Sequence, residues 1–309
     1  MTTIALLSDD TVILGQLAEA FARQAPEAKI ALPGEGAFHD AEVAACWYPP
    51  PGSLGAMPRL RLIHSIGAGV DHLGHDPTCP MLPVCRVVDA AQVQGMVEYV
   101  RWTALYYHRG FDQMRVQQQA VRWCPPVQRE AGDYHIGVMG LGVLGAAVAK
   151  DLAGAGYAVR GWARSAKNLP GIDVFNGPEG FNDFLIGLDL LVNLLPLTAQ
   201  TRDVLNMDLF GKLNPGAAVV NCGRGAHMVA KDVITALACG QLGGAVLDVF
   251  EIEPLPASDP LWRTSGIVLT PHMASSAALG VIVRQIMENA RRIAHGEVLL
   301  NEVDRTKGY

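Results

Sequence analysis

The chain has 309 residues, 50% of them hydrophobic and 17% charged, with a formal net charge of −6 at pH 7. That balance excludes a disordered chain and leaves enough apolar side chains for two buried cores. It gives no reason to expect a nucleic acid or an anionic membrane surface as partner.

Taken in order, "TIALLS" reads as a first strand and "TVILGQLAEAFARQ" as the helix after it. "AKIAL", "EVAACWY" and "LRLIHSI" read as further strands, with the Pro/Gly-rich "PPPGSLG" after Tyr48 as a loop. From Ala90 to Gln119 there are few breakers, which predicts one long helix ahead of a polar connection, "PPVQREAGDY". A second strand set follows: "HIGVMG", "YAVRGWA", "LDLLVNLLP", "AAVVNCG", "AVLDVF" and "GIVLTP", with helical spans of about 10 to 20 residues between its first members. "SSAALGVIVRQIMENARRIAHG" predicts a final helix with apolar residues at Ile282, Ile286, Ala290 and Ile293. Strands alternating with helices are the pattern of parallel α/β layers. Because the glycine-rich motif lies near the middle of the chain, one domain must be inserted into the other. The expected fold is therefore α/β with two doubly wound parallel-sheet domains. A Rossmann NAD(P)-binding domain (104–273) is inserted into a flavodoxin-like substrate domain (1–103 and 274–309), with a cleft between them.

No apolar stretch runs to the roughly 18 residues of a membrane-spanning helix. The opening "MTTIALLSDD" has too short an apolar run and no basic start for a secretory signal. Six cysteines (46, 79, 85, 124, 222, 239) show no C-x-x-C spacing. They are expected to be reduced thiols in a cytoplasmic protein.

"HIGVMGLGVLGAAVAKDLAGAGYAV" reads as strand, tight turn, helix, turn and strand. Gly140 permits the turn, Gly142 lets a pyrophosphate approach the backbone, and Gly145 lets the helix pack on the strand. The helix N-terminus, at Val143 and Leu144, offers N–H groups and positive dipole to phosphates. About twenty residues on, an NAD site usually places an acid on the ribose 2′-hydroxyl. Here "VRGWARSAK" offers Arg160, Arg164, Ser165 and Lys167, with no acid before Asp173. A 2′-phosphate would be repelled by an acid and held by charge-assisted donors. NADP(H) is therefore expected in preference to NAD(H), with solvated surface charge as the plainer reading of the cluster.

Three more stretches fall at predicted strand C-termini, where open parallel sheets bind ligands: "VVNCGRG" with Arg224, "AVLDVFEIEPLP" with Asp248, Glu251 and Glu253, and "IVLTPHMASS" with His272. Together with "HSIGAGVDHL" and the glycine loop, these motifs resemble the D-isomer-specific 2-hydroxyacid dehydrogenases. The resemblance runs nearly end to end and keeps the family's order, with Glu253 29 residues after Arg224 and His272 19 after Glu253. "CWYPP", "VDHL", "GWARS", "PLWR" and the terminal "DRTKGY" are most similar to the glyoxylate/hydroxypyruvate reductase A branch.

The resemblance implies reduction of a small 2-keto acid, glyoxylate or hydroxypyruvate first. The residues suit the roles it assigns. Arg224 would bind the carboxylate and polarise the carbonyl. His272 would protonate the alkoxide, and Glu253 would orient His272, with Glu251 as its near decoy. It also implies cofactor contacts at Trp162, Leu195, Pro196, Cys222, Gly223 and Asp248, the last toward the nicotinamide carboxamide. Substrate contacts fall at Ile66, Gly67, Ala68 and Gly69, the amides of Ala68 and Gly69 taking the carboxylate. Trp47 reads as a pocket wall or as core. Cys222-Gly223 departs from the small Ala or Ser more usual before this arginine. His64, His72 and His75 lack the separations of a metal site, and no metal is assigned. Trp123 and the helix before it resemble an arm that buries a homodimer interface, with core packing as the alternative. Two other functions stay open: an NAD-linked dehydrogenase of lactate- or phosphoglycerate-like acids, and a cofactor-sensing binding protein on the same scaffold.

Overall fold

The apolar run that opens the chain forms β1 (Thr3–Ser8), with all six side chains buried. Asp10 ends it and starts α1 (Thr11–Gln24), its carboxylate accepting the N–H groups of Val12 and Ile13 at 2.8 and 3.2 Å. β2 (Lys29–Ala31), β3 (Val43–Trp47), β4 (Leu62–Ser65) and β5 (Val84–Cys85) complete a parallel sheet in the order β2-β1-β3-β4-β5. This is the flavodoxin-like order. β5, only two residues long, carries no alternation that sequence could reveal. This computed structural model describes residues 2–74 and 76–305; His75 and the end of "DRTKGY", 306–309, lie outside the described residues.

The single long helix expected from Ala90 to Gln119 is two helices, α2 (Ala90–His108) and α3 (Phe111–Gln119). Gly110 separates them at φ +70°, a left-handed conformation that no continuous α-helix contains. The chain divides into two compact units, Met1–Gln92 with Ser276–Tyr309, and Val93–Ser275. The division falls before the expected 103/104 boundary. Met96, Val97, Val100 and Ala104 of α2 are buried in the same core as Val138 and Val148, so nearly all of that helix belongs to the inserted unit.

That unit is built on seven parallel strands. They are β6 (His135–Met139), β7 (Ala158–Ala163), β8 (Asp173–Asn176), β9 (Leu190–Asn193), β10 (Ala217–Asn221), β11 (Leu242–Leu247) and β12 (Ile267–Leu269). α4 (Val143–Gly154) joins β6 to β7; α5 (Phe181–Leu185), α6 (Met207–Phe210) and α7 (Ala230–Ala238) lie further on. α5 and α6 have five and four residues, shorter than the spans expected. Gly177 and Gly187, both at positive φ, bracket α5 and leave it room for little more than one turn. The strand order β12-β11-β10-β9-β6-β7-β8 reverses direction between β6 and β9, the switch point of a Rossmann sheet. One buried cluster covers each face of the sheet, which is why its central strands read as nearly continuous apolar runs. β8 is an edge strand with no fully buried side chain, and no apolar run marks it in the sequence.

The chain then returns to the first unit through α8 (Leu279–His295). Its Ile282, Val283, Ile286 and Ala290 are buried with Ile4, Leu17 and Leu62, and Ile293 packs at the margin. Gly296 ends the helix at φ +68°.

Candidate active site

The glycine turn sits at the C-terminal end of β6, beside the switch point. Gly140 is at φ +95°, and a Cβ there would lie 2.6 Å from the Leu194 carbonyl oxygen; one on Gly145 would lie 1.8 Å from that of Gly140. Only glycine fits either position. A Cβ on Gly142 would meet nothing within 4 Å, so open space lies over the loop where a pyrophosphate is expected. Gly142 caps α4 without a side-chain bond, and Val143 is half exposed while Leu144 packs on the core. The first-turn amides of α4 thus border that space, an arrangement suited to an anion.

At the end of β7 the basic cluster divides. Arg160 donates to the Ile186 carbonyl at 2.6 Å. Lys167 donates from Nζ to the Leu141 carbonyl at 2.5 Å, which fixes an ammonium on the glycine loop itself. Arg164 and Ser165 are exposed between them. Trp162, expected among the cofactor contacts, lies near the end of β7 next to this cluster. Its ring packs edge-on against Phe181, with centroids 5.0 Å apart, and its indole N–H donates to the Gly177 carbonyl. The ring stands at a half-exposed position of the β7 alternation and packs at the margin of the core, where covering it removes apolar area from water.

The three proposed catalytic side chains all come from the C-terminal side of this sheet. His272 Nδ1 lies 2.7 Å from Glu253 Oε2, and Glu253 Oε1 accepts the Phe250 N–H at 2.8 Å. The two bonds use both carboxylate oxygens and fix the ring's orientation. Burial by itself would raise the Glu253 carboxyl. The bonds from His272 and Phe250 and the charges of His272 and Arg224 outweigh it and hold the carboxyl below its ordinary value. Glu251, the decoy, is largely exposed and lies 3.9 Å from Arg202. Arg224 follows β10, with Nη1 donating to the Gly223 carbonyl at 2.8 Å. Gly225 is what lets the turn lie against the 250–251 backbone: a Cβ there would sit 1.8 Å from the Phe250 carbonyl carbon.

His272 has φ +50°, a strained conformation for a residue with a side chain. Asp248, 2% exposed, holds it there. Its carbonyl accepts the His272 N–H at 2.9 Å, Oδ1 accepts from Thr270 Oγ1 and the Met273 N–H, and Oδ2 accepts the Ala274 N–H. Tyr99 of α2 extends the chain with a 2.6 Å bond to Thr270 Oγ1. Asp248, expected to face a nicotinamide carboxamide, anchors the histidine loop through these bonds. Cys222 is buried beside it, and burial followed by the Asp248 charge pushes its thiol well up, so it stays protonated and unreactive.

Sequence reasoning missed Tyr99, Thr270, Asn193, Asn221 and His227. Asn193 and Asn221, both fully buried, close the ends of β9 and β10. Asn193 donates from Nδ2 to Asn221 Oδ1 at 2.9 Å and accepts the Leu195 N–H; Asn221 Oδ1 also accepts the Gly223 N–H. These bonds set the course of the Leu195-Pro196 and Cys222-Gly223 segments named from the sequence. An asparagine ending an otherwise apolar strand was the available signal.

In the other unit, the Gly67–Gly69 turn is shaped through its carbonyls. Ser65 Oγ donates to Gly69, Arg86 to Ala68 and the Val87 N–H to Gly67, at 2.8, 3.3 and 3.0 Å. Ile66 packs toward the core just before it. Trp47 lies directly over Gly67, where a Cβ would be 2.5 Å from its ring, and clusters with Tyr48 and His72 at centroid separations of 5.1 and 4.8 Å. Trp47 is therefore half-buried in an aromatic cluster, between the two readings offered for it. His64 is wholly buried, with Nδ1 donating to the Ser65 carbonyl, and burial lowers its pKa to about 4.

Residues 102–274 match the family model of the D-isomer specific 2-hydroxyacid dehydrogenase NAD binding domain. The chain is 38% identical over 290 residues to a glyoxylate/hydroxypyruvate reductase A of Serratia proteamaculans (strain 568), covering 92% of this chain and 93% of that one. Among solved structures, a D-isomer specific 2-hydroxyacid dehydrogenase family protein from Klebsiella pneumoniae 342 is 46% identical at a TM-score of 0.94, covering 99% and 98% of the two chains. An NADPH-dependent glyoxylate/hydroxypyruvate reductase from Sinorhizobium meliloti, in complex with NADP and sulfate, is 32% identical at a TM-score of 0.92, covering 100% of both chains.

Proposed function

The chain belongs to the D-isomer-specific 2-hydroxyacid dehydrogenase family, and from that premise we propose that it reduces glyoxylate to glycolate and hydroxypyruvate to D-glycerate, preferring NADPH. The observation that carries the reading is the 2.7 Å pair of His272 and Glu253 within the field of Arg224. Reducing a 2-keto acid takes a hydride at carbon, a proton at oxygen and a grip on the carboxylate. The nicotinamide cofactor supplies the hydride when bound. Arg224 holds the carboxylate and draws charge toward the carbonyl oxygen through its planar donors. Glu253 keeps Nδ1 of His272, so Nε2 is the nitrogen that passes a proton to the alkoxide. The carboxylate then stabilises the imidazolium that donates.

NADPH preference rests on the exposed Arg164 and Ser165, on Lys167 fixed to the glycine loop, and on the absence of an acid at the end of β7. The test is the initial rate of NADPH and NADH consumption, side by side, with glyoxylate and hydroxypyruvate. Fast turnover with NADPH and at least tenfold lower efficiency with NADH is expected. Equal use of both cofactors would overturn the preference alone, and no turnover with either would overturn the reaction. Arg164→Ala removes charge-assisted bonds worth about 1.5–3 kcal/mol, so its KM for NADPH is expected to rise roughly tenfold to a hundredfold with that for NADH little changed.

We also propose that the protein works as a homodimer in the cytoplasm. Trp123 is 98% exposed, and Phe111, Val116, Val121 and Val127 stand exposed near it in the sequence. Apolar side chains bared in one short segment suit burial against a second copy. The described cysteines are all free thiols, which suits a reducing compartment. Analytical ultracentrifugation should give a dimer that Trp123→Ser weakens measurably. A monomeric wild-type protein at micromolar concentration would sink the proposal.

A further inference from the structure

We infer that His227 is a positioning residue, holding Arg224 in place and tying it to the segment at Pro196; the inference rests on the keto-acid reading above. His227 is completely buried, three residues after Arg224, in the short 3₁₀ turn Gly225–His227. Its Nδ1 lies 3.0 Å from the backbone nitrogen of Arg224 and 3.0 Å from Nδ2 of Asn193. A backbone N–H only donates, so Nδ1 must be an acceptor. The proton then belongs to Nε2, which lies 3.3 Å from the Pro196 carbonyl and donates to it. The ring is thereby assigned one tautomer by its partners.

The surroundings close around this arrangement. The His227 N–H donates to the Arg224 carbonyl at 3.1 Å, and Asn221 Nδ2 donates to the same carbonyl at 3.0 Å. Both backbone polar groups of Arg224 are thus held by this pair of buried side chains and the turn. A Cβ on Gly223 would lie 2.7 Å from His227 Nδ1, so glycine at this departure from the family pattern is what lets the ring approach the strand end. One imidazole therefore sets the backbone that carries the carboxylate-binding arginine. The same ring fixes the loop expected to lie along the cofactor. Its effect on the reaction is through Arg224; it touches no reacting atom.

Three variants separate positioning from mere packing. His227→Leu removes both ring nitrogens. His227→Gln keeps a polar group near Nε2 and withdraws the acceptor at Nδ1. His227→Asn places an amide oxygen close to where Nδ1 stands. For variants that fold by circular dichroism, the keto-acid KM is expected to rise at least tenfold in H227L and H227Q, with kcat falling less, and to return within threefold of wild type in H227N. Hydrogen exchange of the peptide spanning 222–227 gives a readout independent of turnover: faster in H227L and H227Q, near wild type in H227N. A folded H227L or H227Q with unchanged exchange and a KM within threefold would overturn the inference. So would an H227N that fails as badly as H227L. A wild-type protein without keto-acid turnover would instead overturn the reaction, leaving the exchange result to decide whether His227 holds the Arg224 backbone.

Discussion

Arg224→Ala is expected to lower kcat/KM for glyoxylate by about three to five orders of magnitude. Two losses add. A preorganised donor aimed at developing negative charge is worth roughly 10²–10³ in kcat. A charge-assisted bond to the substrate carboxylate, at about 1.5–3 kcal/mol, contributes a further one to two decades through KM. The variant should stay folded, because the Arg224 side chain is only partly buried and its loss opens no void in either apolar core. Arg224→Lys should recover only part of the loss, since an ammonium keeps the charge but not the planar fork. Steady-state kinetics with saturating NADPH decides it. A variant within tenfold of wild type would mean that the carboxylate is held elsewhere.

The second large effect concerns the pair at the other side of the reaction. His272→Ala is expected to reduce kcat by roughly 10²–10⁴, the usual worth of a positioned proton donor, with a smaller change in KM. Glu253→Gln should cost on the order of 10², because an amide accepts the bond but cannot stabilise an imidazolium. The same change has a stability signature. The Glu253 carboxyl is held below its ordinary value by its partners, against the effect of burial. Its contribution to stability is therefore present above the ordinary carboxylate range and fades as pH falls through the lowered value. Glu253→Gln should flatten that part of the acid limb of Tm against pH. An unchanged acid limb together with near-normal kcat would remove Glu253 from the machinery and bring Glu251 back into consideration.

Much of this protein was legible because its signals are local. α1 occupies the residues that its apolar periodicity marked, since Asp10 supplies the cap at the right place. The glycine loop declared itself because two of its demands are local: Gly145 lies against the Gly140 carbonyl, and Gly140 turns at positive φ. Arg224, Glu253 and His272 could be named together because each lies just past a strand of strongly apolar sequence, so their order and spacing survive in one dimension.

What tertiary structure decided has a common cause, which is that it depends on partners distant in sequence. The choice of Glu253 over Glu251 is made by His272, 19 residues away. The role of Asp248 as anchor of the histidine loop is made by Thr270, Met273 and Ala274. The edge strand β8 exists because β7 offers a ladder to pair with, and nothing in its own composition requires it. His227 looked like any other histidine until the ends of β9 and β10 brought Asn193 and Arg224 to one of its nitrogens. The sequence by itself determined the two parallel-sheet units and the glycine loop, since local propensity and spacing carry that information, and the order of its motifs, through the family they resemble, offered Arg224, Glu253 and His272 as candidates. Only the folded chain decided which buried polar groups hold those side chains still, because a hydrogen bond in a dry interior depends on where distant backbone arrives.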